Sequence, residues 1–399
     1  MPSHQPTQQS DVGVGSSQTV TARPNAGFWR SLRRVTTTGQ YIPEIDGLRF
    51  VAIFVVILYH IGQRSWQDCG FCIPLTGDAG SFIRHLARGV PLFFAISGLV
   101  LGIPFAKQHF LQGPRVRLGP YLLRRVTRLE PPYIVNLLIR FPLIHLAKGV
   151  PWLVLTAHLG ASLLYLHGLI YGTYPTIYVP SWSLEVEVQF YLLAPLLAVL
   201  FFSKTPWIRR GALIAAVVAF SILRVHTPGP PQTRMHLSIL SFLQYFLVGF
   251  LLADWFLTVM PRMRSSWIWD VVGSSSLVAI FLVDDRIAFY VLPALIFAGV
   301  VGGFKGTWLS RVFRVPIVST LGGMCYSLYL THSVAIQGGF WLMVRLHLDE
   351  GRFWHTAMYG VLFSFPIVFP VGMVFYVLVE RPCMDREWPR KLGRYLARA

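Results

Sequence analysis

The stretch Tyr41-Ile-Pro-Glu44-Ile-Asp46-Gly-Leu-Arg49-Phe-Val-Ala-Ile-Phe-Val-Val-Ile-Leu-Tyr59-His60-Ile-Gly62 decides the fold class. Ten residues separate Arg49 from His60, all apolar except Tyr59. On a helix that gap is about 16 Å, half the thickness of a bilayer's hydrocarbon. Asp46 and Arg49 open the helix and His60 lies near its far end. An ionisable group at that depth is costly and usually faces a bundle interior or a water-filled cavity, which makes His60 a candidate site residue and anchors Arg49 at the membrane edge. The plainer alternative is a histidine that hydrogen-bonds a neighbouring helix.

The rest of the chain agrees with a membrane protein. Of its 399 residues 54% are hydrophobic and only 13% charged, against about 25% charged in a soluble domain. The mean hydropathy is +0.54. A net charge of +18 would suggest nucleic acid in a soluble chain, but here the lysines and arginines cluster in short segments between apolar runs, as cytoplasmic loops do, so no nucleic-acid partner is expected. Residues 1–40, rich in Ser, Thr, Gln and Pro and then basic at Arg30, Arg33 and Arg34, read as a disordered cytoplasmic tail. No cleavable signal peptide is visible in it.

Apolar runs long enough to span occur near 48–64, 89–106, 131–147, 182–203, 209–224, 236–259, 267–284, 287–303, 317–343 and 355–379. A further run, 152–170, is interrupted by His158, Gly160 and His167. Placing the basic clusters at 107–128, 204–210, 262–264, 305–314 and 381–398 in the cytoplasm requires ten spans with both termini inside. The run 152–170 is then an interfacial or re-entrant segment on the outer side. Eleven spans would put four of these clusters outside. The expected architecture is therefore all-α and polytopic, about ten transmembrane helices around a central pore or cavity over residues 41–385, with a basic cytoplasmic tail at 386–399. Cys69 and Cys72 fall in an outer loop, where a local disulfide is plausible. With no second ligand pair, a metal role for them is the weaker alternative and no metal is expected.

Under this topology the fourth span descends from Trp182 and carries Glu187 about 7.5 Å below its outer end. His60 and Glu187 then sit at similar depth, where a carboxylate could orient a general base. Glu185 and Gln189 suit a hydrated outer mouth. Ser97-Gly98 allows either close helix approach or a ligand contact. Arg124, Arg125 and Arg128 sit at the cytoplasmic mouth of the third span and suit either the positive-inside rule or bound phosphates. Tyr326, Tyr329 and His332 share one helical face.

Taken in order, Ile45-Asp46-Gly-Leu-Arg49 with the gap to His60, Phe93-Phe94 with Ser97-Gly98, and Arg124-Arg125 with Arg128 and Pro131 resemble the membrane acyltransferase 3 family. So do Trp182-Ser-Leu with Glu187 and Phe190-Tyr191, Ser327-Leu-Tyr-Leu with His332, and Glu380-Arg381-Pro382. The resemblance covers about residues 41–385. It implies ten spans in a bacterial plasma membrane, and transfer of an acyl group, commonly acetyl, from cytoplasmic acyl-coenzyme A to a hydroxyl of a glycan or other small acceptor, often at the outer face. It also implies that His60 is catalytic and that Arg49 and Arg128 contact the donor. We expect the coenzyme's phosphates at Arg124, Arg125 and Arg128, Glu187 as partner of His60 or the acceptor, and Asp46, Ser97, Trp182, Tyr326, Tyr329 and His332 around the pocket. Because the chain stops soon after Pro382, the extracytoplasmic hydrolase-like domain of some members is expected to be absent. The rival is a proton-coupled transporter using intramembrane His and Glu, although no inverted repeat is evident.

Overall fold

A computed structural model describes residues 29, 32–34, 41–74, 77–227, 233–348, 351–385 and 388. Most of the expected tails, 1–40 and 386–399, lie outside the described residues. All regular structure among the described residues is helical.

Helix α1 (Pro43–Asp68) begins with Pro43 and has Glu44 and Asp46 in its first turn, which suits both the missing hydrogen-bond donor and the positive end of the helix dipole. After the disulfide-bonded Cys69 and Cys72, α2 (Asp78–Leu86) leads directly into α3 (Gly89–Phe110). Helix α4 (Leu118–Lys148) is 31 residues long, so Arg124, Arg125 and Arg128 lie within a continuous helix and not in a loop before it. The interrupted run forms two short helices, α5 (Trp152–Leu163) and α6 (His167–Tyr171). The 12 residues of α5 cover only about 18 Å, too little to cross a bilayer.

The remaining long helices are α7 (Trp182–Leu197), α8 (Pro206–His226), α9 (Leu243–Thr258), α10 (Trp267–Leu282) and α11 (Asp285–Lys305). The expected run 317–343 is broken. Two eight-residue helices, α12 (Thr307–Arg314) and α13 (Pro316–Gly323), precede α14 (Cys325–Arg345). Helix α15 (Phe353–Phe375) closes the bundle and passes through a π turn, Tyr376–Glu380.

Five segments are long and apolar enough to cross a membrane: Pro43–Asp68, Asp78–Phe110, Val179–Phe201, Asp285–Lys305 and Phe353–Cys383. Three shorter apolar helices accompany them, Trp152–Leu163, Leu243–Thr258 and Trp267–Leu282. The outward faces are apolar: Trp207, Ile214, Val218 and Ile222 on α8 and Trp354, Met358, Leu362 and Val374 on α15 are all exposed. With both lengths and surfaces of this kind, the chain is an integral membrane protein.

Helix α9 lies at the centre, every residue from Leu243 to Asp254 being buried. It meets α3 at a glycine pair. A Cβ on Gly98 would stand 2.2 Å from the Phe246 carbonyl oxygen, and one on Gly249 would stand 2.3 Å from that of Ala95. Backbones approach that closely only where side chains vanish. On the other side of α1, an apolar cluster of Ile53, Ile57 and Ile61 with Leu328, Ile336, Phe340 and Val368 ties α1 to α14 and α15.

Candidate active site

The site is built in three layers along α1. The lowest holds Asp46 and Arg49. Asp46 is fully buried, Arg49 Nη1 donates to its Oδ1 at 2.7 Å, and Arg34 Nη2 lies 3.9 Å from the same oxygen. Gly322 permits this arrangement, since a Cβ there would overlap the Asp46 carbonyl oxygen. Beside it, Arg128 Nη2 donates to Glu380 Oε1 at 3.2 Å. The backbone N–H and hydroxyl of Ser327 donate to Glu380 Oε2 at 3.1 and 2.6 Å. Arg125 stacks over the Tyr121 ring at 3.8 Å and donates to the Tyr121 carbonyl at 2.6 Å. Arg124 is exposed, about 100° around the helix from Arg125, and is not brought into this layer. Tyr326 donates its hydroxyl proton to the Leu129 carbonyl at 2.8 Å, a link between α14 and α4.

The middle layer is Ser97 on α3 and Glu187 on α7. Ser97 Oγ donates to Glu187 Oε1 at 2.5 Å, and Tyr191, one helical turn on, also bonds this carboxylate. Both Ser97 and Glu187 keep partial exposure inside the bundle, and Arg49 and Arg125 lie within electrostatic reach of Glu187. Trp182 packs against Phe94, Phe242 and Tyr174, forming an aromatic wall.

The upper layer pairs two histidines. The His60 ring on α1 and the His332 ring on α14 are 4.9 Å apart. His332 is fully buried, and its Nδ1 lies 2.7 Å from the Tyr329 carbonyl. A carbonyl only accepts, so Nδ1 carries the proton and the neutral ring has its lone pair on Nε2. That Nε2 has no partner among the described residues. His60 Nδ1 lies 3.3 Å from Gln63 Oε1. Tyr329 donates to the Pro180 carbonyl at 2.5 Å, Ser183 sits 3.3 Å from its hydroxyl, and Tyr178 donates to the Tyr329 carbonyl.

Several expected placements are thereby revised. Among the described residues no hydrogen bond or ion pair joins His60 to Glu187: Gln63 contacts the imidazole and Ser97 holds the carboxylate. Glu185 lines no hydrated mouth. It is buried and accepts the Gly168 backbone N–H at 2.8 Å, while Gln189 accepts that of Ile239 at 2.9 Å. Both fasten the chain around α6 and the start of α9 to α7. Gln63, Tyr178 and Arg140 were not singled out from sequence. For Gln63 the signal was available, since it stands three residues after His60, the spacing that brings helical side chains together. Among the described residues no group of three His, Cys, Asp or Glu side chains could hold a metal ion.

Comparison with known proteins gives the family. The acyltransferase domain pattern, Acyl_transf_3, matches residues 42–380. A Staphylococcus aureus protein provisionally named an O-acetyltransferase is 26% identical over 373 residues, 86% of this chain and 57% of that protein. The peptidoglycan O-acetyltransferase OatA of Listeria monocytogenes is 24% identical over 330 residues, 73% of this chain and 49% of its own length. A Komagataeibacter xylinus protein provisionally named a membrane-bound transacylase is 26% identical over 406 aligned positions, 91% of this chain and 89% of that protein. The chain thus spans about half the length of the first two relatives. No solved structure matches it.

Proposed function

The chain belongs to the acyltransferase domain family, and from that premise we propose that it is a membrane O-acyltransferase carrying an acyl group, acetyl first among candidates, from cytoplasmic acyl-coenzyme A to a hydroxyl acceptor at the extracytoplasmic side. The acceptor is a glycan or another small hydroxyl compound. The observation that carries the proposal is the imidazole pair of His60 and His332, rings 4.9 Å apart, standing above a layer of arginines in one bundle. The first is the chemistry a hydroxyl needs to become a nucleophile, and the second is the charge a phosphate-rich donor needs to dock.

In this proposal ten helices span: the five segments of sufficient length, α4, α8 and α14 with 31, 21 and 21 residues, and the shorter α9 and α10. Both termini are cytoplasmic. The coenzyme's phosphates meet Arg125 and Arg128, with exposed Arg124 at the rim and Arg49 deeper. The pantetheine arm runs past Ser97 and Glu187 toward the histidines. His60 takes the acceptor proton as the oxygen attacks the thioester carbonyl. The C–S bond breaks, and the coenzyme thiolate leaves and regains a proton from the imidazolium. Gln63 sets the His60 ring, and Glu187, held by Ser97 and Tyr191, borders the path of the acyl group. His60→Ala tests this: purified protein should bind acetyl-coenzyme A yet lose transfer by the 10²–10⁴-fold typical of an acid–base residue, about 3–5 kcal/mol. Transfer at the parent rate would remove His60 from the mechanism.

A further inference from the structure

Three arginines are buried among the described residues: Arg88, Arg140 and Arg209, at 8%, 7% and 2% exposure. Two have a counter-ion. Arg88 Nη2 lies 2.6 Å from Asp285 Oδ1, and Arg209 pairs with Asp254. Arg140, in the second half of α4, has no carboxylate within ion-pair distance among the described residues. Its Nε donates to Asn136 Oδ1 at 2.9 Å, and its Nη2 donates to the Leu330 carbonyl at 3.2 Å and to Ser333 Oγ at 2.8 Å. The Tyr178 ring lies 4.3 Å from its Cζ.

All of these partners are neutral. They satisfy directions but do not cancel the charge, and an uncompensated buried charge is expensive. A role as a brace between α4 and α14 does not explain it. Asn136 Nδ2 already donates to the same Leu330 carbonyl at 2.7 Å, so a neutral side chain at 140 would leave the two helices bridged. Arg140 Nη1 is bonded to none of the described residues and is not sealed in. The guanidinium also borders the upper layer: Leu330 and Ser333 flank His332 in sequence, and Arg140 lies within electrostatic reach of that imidazole.

We infer that the missing counter-ion is supplied by the substrate: Arg140 binds an anionic oxygen group, carboxylate or phosphate, of the acceptor, so the acceptor is an anionic hydroxyl compound. The inference rests on the O-acyltransferase reading and names its substrate class. Asn136 orients Nε, Leu330 and Ser333 fix Nη2, and the free edge at Nη1 takes the anion. The acceptor hydroxyl then reaches toward the His60–His332 pair.

The test uses cells that naturally make the protein, fed labelled acetate, with the gene intact, deleted or substituted. Gene-dependent O-acetyl products are fractionated on an anion exchanger at neutral pH. The product is expected to be retained and to elute with salt, and phosphatase treatment distinguishes a phosphate from a carboxylate. Arg140→Gln should lower it at least tenfold, while Arg140→Lys, which keeps the charge and loses the fork, should keep clearly more than Arg140→Gln. A gene-dependent product in the neutral flow-through overturns the inference, as does an equal effect of Gln and Lys. Should Arg140→Gln fail to fold, the charge of the wild-type product still decides. If purified wild-type protein releases no thiol from acetyl-coenzyme A with source-cell extract as acceptor, the acyltransferase reading itself falls.

Discussion

At the scale of single residues, His332 is the informative case. Its Nδ1–H is fixed on the Tyr329 carbonyl at 2.7 Å and its buried Nε2 has no partner. A histidine placed only to fill a helix interface would be expected to spend both nitrogens, since an unsatisfied buried group costs about 1–3 kcal/mol. We therefore expect His332→Gln to lower acyl transfer by at least tenfold while changing the thermal midpoint little. A transfer rate within twofold of the parent would return His332 to a packing role. That His60 and His332 were candidates at all was legible in the sequence, because a titratable ring inside an apolar run has few bland explanations. Their pairing was not, because 272 positions separate them and helical spacing speaks only within one helix. The same limit hid Ser97 as the partner of Glu187, 90 positions away. Arg140 carried the same signal, a lone arginine in the middle of the apolar run 131–147, but that its partners are all neutral is visible only in the packing of α4 against α14.

At the scale of elements, two joints hold the site. The first is the α3–α9 crossing, where Gly98 and Gly249 bring the backbones together. A Cβ at Gly98 would meet a carbonyl oxygen at 2.2 Å, and backbone cannot step aside as a flexible side chain can. Gly98→Val should destabilise by about 1–3 kcal/mol or more, the usual cost of overpacking, read as a lowered thermal midpoint in detergent. An unchanged midpoint would show that the helices are not in that contact. The second joint is the π turn ending at Glu380, whose carboxylate binds Arg128 on α4 and Ser327 at the start of α14. Glu380→Gln keeps an acceptor for Ser327 but leaves Arg128 uncompensated. With 30% of the Arg128 side chain exposed, the loss is discounted by solvent to about 1–3 kcal/mol, and the Michaelis constant for the donor should rise as Arg128 swings from its place. A donor constant unaltered alongside lost stability would make Arg128 a purely structural ion pair. Element existence was legible, since each of the ten apolar runs coincides with helix. The breaks were not: Gly322-Gly323-Met324 ends α13 inside a continuous apolar run, where the Asp46 backbone passes so close that position 322 admits no side chain.

At the scale of the whole molecule the open question is sidedness, and it can be settled without knowing the substrate. The case for ten spans joins helix lengths to charge: the basic clusters follow every second helix, and the loops between them are poor in net positive charge. Helices α9 and α10, at 16 residues each, cover about 24 Å, short of a 30 Å hydrocarbon core. They cross only if flanking chain or local thinning makes up the difference. Single cysteines introduced into a cysteine-free variant, active in transfer, test each side. Lys204→Cys and Arg264→Cys, both at exposed positions, should react with a membrane-impermeant thiol reagent only after permeabilisation. Arg286→Cys, exposed at the α10–α11 turn, should react in intact cells. Labelling of position 264 from outside would mean that α8 and α9 do not both cross, which would reverse every later loop and carry α14, with His332, through the membrane in the opposite direction from α1. The structure runs these two helices in parallel, Gly322 against the Asp46 backbone at one end and His60 beside His332 further along, so that outcome would break the imidazole pair itself and with it the proposed chemistry.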